Sequence, residues 1–328
     1  MKNKNYIAYG LPYMGSKNAI AEEIINILPS AEYFVDLFGG GGALTHCAFL
    51  SGKYQKFIYN ELDTEVYTAF KLASNGELPD EAPKWLSHEE FNIVRKGFYP
   101  LKLLYTFGTQ FKGDYFCSPK REITYKNMYE YVTEGKVDGI LNDELFKKYG
   151  FEFDRNILLE KMKVDMDSRI TFIRAYIKKQ FDVLKHYITD KDDYNILKDV
   201  RCFELLTRYN RLKKLGVMKG AVEYFNGSYE NVTIPDNSVV ICDIPYRDTA
   251  SYQEDENSFD YEKFYDFCRN KNHLVFINEY SMPEDFYIVK YIAKTQILSS
   301  KHNGQKTYKE KLFCNKVYKP NSIMDELF

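Results

Sequence analysis

No stretch of the 328-residue chain approaches the run of about 18 apolar residues that a membrane-spanning helix requires. The first ten residues, MKNKNYIAYG, carry lysines with no apolar run behind them, so a secretory leader is not expected. Six cysteines stand singly, at Cys47, Cys117, Cys202, Cys242, Cys268 and Cys314, and none forms a C-x-x-C pair. That spacing argues against a zinc ribbon or a redox couple and fits a reducing cytosol. A cytoplasmic protein with no membrane association and no metal is the expectation. A surplus of one charge is also missing. Lys and Arg number 45 against 47 Asp and Glu, leaving a net charge of −2, whereas dedicated nucleic-acid binders often carry a basic surplus. Overall balance leaves local patches open, because net charge does not fix its distribution. Internal repeats and low-complexity tracts are absent.

What the chain has in quantity is aromatic: 29 tyrosines and 24 phenylalanines. Such rings stack on unpaired bases, although core packing uses most of them in any globular protein. A composition that is 45% hydrophobic and 28% charged is ordinary for a folded protein, and the length suits one large domain or two modest ones.

Three textures follow one another. Asn18 to Leu28 has apolar residues at Ile20, Ile24, Ile25 and Leu28, a helical spacing ended by Pro29. Tyr33 to Phe38 is a nearly continuous apolar run, as in a strand buried on both faces. Four glycines, a helix from Ala43 to Leu50, a strand from Lys56 to Asn60 and a helix from Thr64 to Ala73 come next. Strand, glycine turn, helix, strand opens a doubly wound sheet. From about 77 to 222 the alternation stops and amphipathic helices take over, among them Thr171 to Ile188. Buried-strand texture returns at Val239 to Cys242, His273 to Asn278, Phe286 to Ile292 and Lys311 to Asn315. The expected architecture is one α/β catalytic domain, 1–76 with 223–328, interrupted by a mainly helical module at 77–222.

Two clusters carry chemistry. In Phe38-Gly39-Gly40-Gly41-Gly42, glycines between a strand end and a helix start allow close backbone approach and offer N–H groups to a ligand. Asp36 precedes them, and Glu61 follows the next strand, at a separation suited to a ribose hydroxyl pair. The spacing is not G-x-G-x-x-G, and either a dinucleotide or S-adenosylmethionine fits the pattern. An acid at a helix start is also what the helix dipole favours. The second cluster, Asp243-Ile244-Pro245-Tyr246, follows an apolar strand and so reaches the cleft at the strands' C-terminal ends. Asp243 and the Ile244 carbonyl can each accept one hydrogen of an exocyclic amine while Tyr246 stacks on its base, which aims the nitrogen lone pair at a methyl donor. A base in a duplex reaches such a site only when flipped out. The same four residues can also merely end a strand.

In order along the chain, Tyr13-Met14-Gly15-Ser16-Lys17, Phe34 to Gly42, Asn60-Glu61-Leu62-Asp63, Phe225-Asn226-Gly227-Ser228-Tyr229 and Asp243 to Tyr246 resemble the motifs of the Dam-like DNA adenine methyltransferases. The match covers about 6–75 and 222–316. The resemblance implies a seven-stranded Rossmann-like methyltransferase sheet and an inserted target recognition domain. It implies S-adenosylmethionine as cofactor and transfer of methyl to the 6-amino group of adenine in double-stranded DNA. It leaves room for a cognate restriction enzyme as partner and sets no oligomeric state. Cofactor residues carried over are Tyr13, Lys17, Asp36, Phe38, Gly39, Gly40, Gly41, Glu61, Ser228 and Tyr229; catalytic ones are Asp243, Ile244, Pro245 and Tyr246. Two positions depart from the family pattern. Ile244 replaces the first proline of D-P-P-Y, keeping the carbonyl but losing the locked φ, and Ser228 stands where many members have aspartate. These departures keep open a catalytically impaired DNA-binding relative, and the balanced net charge of −2 keeps open a methyltransferase of RNA or a small molecule. The densest basic groupings of the middle module are Lys112, Lys120, Arg121 and Lys126, and Arg208, Arg211, Lys213 and Lys214. They are candidates for DNA phosphate, though solvated helix faces share the pattern. The acidic loop 247–258 reads equally as a lid or a plain loop.

Overall fold

The structure, a computed structural model, describes residues 8–13, 15–106, 113–198, 201–246, 259–293 and 309–320. Met14, Lys112 and the loop 247–258 lie outside the described residues. The chain divides into two compact units, Met1–Leu78 with Leu212–Phe328, and Pro79–Arg211. Among the described residues no helix is long and apolar enough to cross a membrane.

The first unit is built on seven strands: β1 (Tyr33–Asp36), β2 (Lys56–Glu61), β3 (Val222–Asn226), β4 (Ser238–Cys242), β5 (Leu274–Glu279), β6 (Tyr287–Ala293) and β7 (Lys309–Cys314). They form one sheet in the order β3-β2-β1-β4-β5-β7-β6. β3, β2, β1, β4 and β5 run parallel, and β7 lies antiparallel between β5 and β6. From β1 the chain winds outward to β2 and β3, then crosses back to β4 on the other side of β1. That reversal leaves a crevice at the carboxyl ends of β1 and β4, where open α/β sheets take ligands. The α/β expectation is met, including the seven strands.

Three helices precede the second unit: α1 (Ala21–Ile27), α2 (Ala43–Ser51) and α3 (Thr64–Ser74). Gly42 and Gly52 bracket α2 at φ +68°, and the Asp63 carboxylate caps α3 by accepting from the Glu65 and Val66 N–H groups. The second unit holds α4 (His88–Lys96), α5 (Pro119–Glu134), α6 (Val137–Asn142), α7 (Glu144–Lys148), α8 (Arg155–Lys161), α9 (Met166–Leu184), α10 (Lys191–Lys198) and most of α11 (Glu204–Lys214). Its tyrosines are mainly interior: Tyr105, Tyr125, Tyr129 and Tyr131 are buried, and Trp85 lies 5.5 Å from the Tyr129 ring. Back in the first unit, α12 (Tyr261–Arg269) presses Phe264, Tyr265 and Cys268 onto one sheet face, against Val35, Leu37, Val240, Cys242, Val275, Ile277 and Phe313.

Two elements differ from the sequence reading. The helix expected from Asn18 starts as a 3-10 turn, Lys17–Ala19, and becomes α-helical only from Ala21. β3 was not expected as a strand. It is the sheet's edge, only Val222 is buried, and an edge strand need not show the apolar run of a central one.

Candidate active site

The glycine loop leaves β1 at Asp36 and is strapped to the end of β2. The Gly39 N–H donates to the Asn60 carbonyl at 2.8 Å, and the Asn60 amide donates to the Leu37 and Gly227 carbonyls at 2.9 and 3.1 Å. The Tyr59 hydroxyl donates to the Gly40 carbonyl at 2.6 Å. Glu61 completes the strap: its two oxygens accept from the Gly40 and Asp63 N–H groups at 2.7 and 2.8 Å. Burial raises the Glu61 carboxyl above its ordinary value, against those N–H groups. Glycine is required for different reasons along the loop. A Cβ on Gly39 would lie 2.0 Å from the Tyr59 ring, and one on Gly42 2.0 Å from the Phe70 ring. Gly40, at φ +49°, has nothing within 4 Å of that position, so space opens beside its backbone.

Asp36 lies beneath this loop, 1% exposed. The Thr45 hydroxyl donates to its Oδ2 at 2.8 Å, while Oδ1 has no partner of hydrogen-bond geometry among the described residues. Burial, and behind it the charges of Asp243 and Glu61, push its carboxyl up to about 7, with Thr45 and the Phe38 N–H pulling the other way.

Asp243 follows the last residue of β4 and meets Lys17, a buried lysine delivered by the 3-10 turn. The Lys17 Nζ stands 3.0 Å from Asp243 Oδ1 and 3.8 Å from Glu310 Oε1. It also donates to the Tyr246 hydroxyl and lies 4.5 Å from the centre of that ring. Burial first, then the charges of Asp243 and Glu310, hold the Tyr246 hydroxyl protonated well above the ordinary range. The Tyr280 ring is tilted against Tyr246 at 4.7 Å. Ile244 sinks its side chain into the sheet core, 3% exposed, and the Tyr261 hydroxyl donates to the Pro245 carbonyl at 2.9 Å. The turn is thus held by an apolar anchor and a hydroxyl tie where a second proline is absent.

The site thus gathers, at one crevice, a glycine loop, a ribose-spaced acid and a carboxylate–aromatic turn. The sequence profile of the D12 class N6 adenine-specific DNA methyltransferase family matches residues 13–303. The chain belongs to that family. The resemblance read from the motifs is borne out, and with it the assignment as an enzyme that methylates adenine in DNA. A comparison with curated proteins finds no match.

Several residues singled out in the sequence sit elsewhere or do other work. Tyr13 packs beside the glycine loop, where a Cβ on Gly41 would come within 2.9 Å of its own Cβ. Phe38 and Tyr229 meet at a tilt, 5.2 Å apart, and both edge onto Phe264 beside the sheet core. Ser228 caps a 3-10 turn, accepting from the Glu230 N–H. In the second unit, Lys120 is 3.3 Å from Asp192 and 3.6 Å from Asp190, and Lys126 is 3.9 Å from Glu130. Arg208 turns inward, donating to the Leu104 and Thr106 carbonyls at 2.7 and 3.0 Å. Arg121 and Arg211 are half-buried, and Lys213 and Lys214 are exposed. Sequence reasoning passed over Glu310, Asn278, Tyr261 and Tyr280. Asn278 is fully buried, and neither end of its amide has a hydrogen-bond partner among the described residues.

Proposed function

We propose that the chain transfers a methyl group from S-adenosylmethionine to the 6-amino group of an adenine flipped out of duplex DNA, at the crevice between β1 and β4. The residues suit that donor. Asp36 and Glu61 gather negative charge that burial makes costly, and a sulfonium cation would relieve it. The open space beside Gly40 and the Glu61 carboxylate suit the nucleoside part. The donor, when bound, supplies an electrophilic methyl group.

The chain's own part is positioning. Asp243 accepts one amine hydrogen and the Ile244 carbonyl the other, which points the nitrogen lone pair away from both. Tyr246 offers its ring to the base. Lys17 holds the Tyr246 hydroxyl and stands 3.0 Å from Asp243 Oδ1. The helical unit Pro79–Arg211 serves as the target recognition module, with Lys120, Arg121, Lys126 and Arg211 as its phosphate candidates; the Arg208 guanidinium is committed to chain carbonyls.

The observation that carries this reading is the meeting of Lys17, Asp243 and Tyr246 from motifs more than 220 residues apart. Asp243→Ala should abolish methyl transfer to duplex adenine and leave donor binding by calorimetry in place. Unchanged transfer, or loss of donor binding with the fold intact, would sink the assignment.

A further inference from the structure

Strand alternation places a polar side chain from each of four neighbouring strands on one sheet face. Val35 and Leu37, Val240 and Cys242, Val275 and Ile277, and Phe313 all face the α12 core. Their alternates, Asp36 on β1, Asp243 after β4, Asn278 on β5 and Glu310 on β7, therefore face the other way. The strands are adjacent in the order β1, β4, β5, β7, with Asn278 paired to Leu312, two residues from Glu310. Asp36, Asn278 and Glu310 are buried, as is Lys17, whose Nζ lies 3.8 Å from Glu310 Oε1.

This geometry raises a conflict at Asp243. Its Oδ1 holds the Lys17 ammonium at 3.0 Å, yet the adenine amine needs the same carboxylate. A buried ammonium that lost its anion would be strongly destabilised. Glu310, fully buried and with Oε1 at 3.8 Å from the same Nζ, offers a second anion within a small movement of the lysine.

We propose that Glu310 is a positioning residue that takes up the Lys17 ammonium as the adenine amine reaches Asp243. Lys17 then stays against the Tyr246 hydroxyl without competing for the carboxylate that orients the amine. No covalent bond changes; one ion-pair contact shortens as the other lengthens. The inference rests on the reading of Asp243 as amine acceptor.

The test is a double-mutant cycle in the full-length protein, read by single-turnover methylation of adenine-containing duplex with saturating donor. Glu310→Gln keeps the side chain's size and removes its charge. It should slow the step about tenfold or more while donor affinity stays within about threefold. On a Lys17→Met background the same change should cost nothing further, because the residue acts through the lysine. A merely structural Glu310 would give losses that multiply in full. If Glu310→Gln does not fold, Glu310→Asp, which keeps the charge but withdraws it by one methylene, should show a smaller loss that also vanishes beside Lys17→Met. Wild-type rates in the Glu310 variants, or full multiplication with Lys17→Met, overturn the proposal. Asp243→Ala run alongside separates the two readings. If it is inactive while the Glu310 variants are normal, only this proposal falls; if it is fully active, the site reading falls and takes this proposal with it.

Discussion

Asp36→Asn should make the protein more stable at neutral pH and a poorer binder of its methyl donor. Asp36 is buried, keeps one oxygen without a hydrogen bond among the described residues, and has its carboxyl raised from 3.8 to about 7. A carboxyl raised by folding binds its proton more tightly in the native state, so its contribution is most favourable below 3.8 and is lost as pH rises towards 7. At about 1.4 kcal/mol per pH unit over that interval, the ionised form costs on the order of 4 kcal/mol above neutrality. Near pH 5 most of that cost is still to come, about 2–3 kcal/mol of it falling between about pH 5 and about pH 7.5. Asparagine keeps an acceptor for the Thr45 hydroxyl and carries no charge. Urea unfolding of both proteins at those two pH values cancels every other titrating group. The stability of Asp36→Asn relative to wild type should grow by roughly 2 kcal/mol from the lower to the higher pH. Under the proposed function, calorimetry should show the donor's affinity falling by about tenfold or more, since the site loses a carboxylate that would meet the donor's cation. A stability difference that is the same at both pH values would refute the burial argument.

The glycine strap and the catalytic turn make further predictions. Gly39→Ala drives a methyl into the buried Tyr59 ring and should cost about 1–3 kcal/mol in chemical denaturation, with donor binding lost or weakened. Tyr261→Phe removes the tie on the Pro245 carbonyl; stability should fall by about 1 kcal/mol, and the single-turnover rate should fall by more than donor affinity does. Arg208→Ala should cost about 2–4 kcal/mol in unfolding experiments, because two chain carbonyls lose a charged donor. The salt dependence of DNA binding should stay unchanged in that variant, as befits an arginine without a phosphate contact.

Much of the crevice was legible because its parts are local in sequence. The apolar runs before Asp36 and Asp243 mark central strands, and the residues that follow such strands must reach the cleft. Glu61 was legible in the same way, although its two bonds to the Gly40 and Asp63 N–H groups give it a structural task beside the ribose role expected of it. Glu310 and Asn278 were not legible. The approach of Glu310 to Lys17 depends on β7 inserting antiparallel between β5 and β6, and strand order is not written in any one segment. Arg208 shows the converse. Its run of basic neighbours reads as a charged face, but helical spacing sends this one arginine inward to the carbonyls of the Lys102–Tyr105 turn and its end. Ile244, which reads as a damaged motif, lies in the sheet core, where packing holds the turn.

The most direct test of the central claim is mass spectrometry of nucleosides from duplex DNA incubated with the purified protein and isotopically labelled S-adenosylmethionine. The proposed function predicts the label on N6-methyladenine, absent when Asp243 is replaced by alanine. Label on cytosine, on RNA alone, or on no nucleoside at all would contradict it.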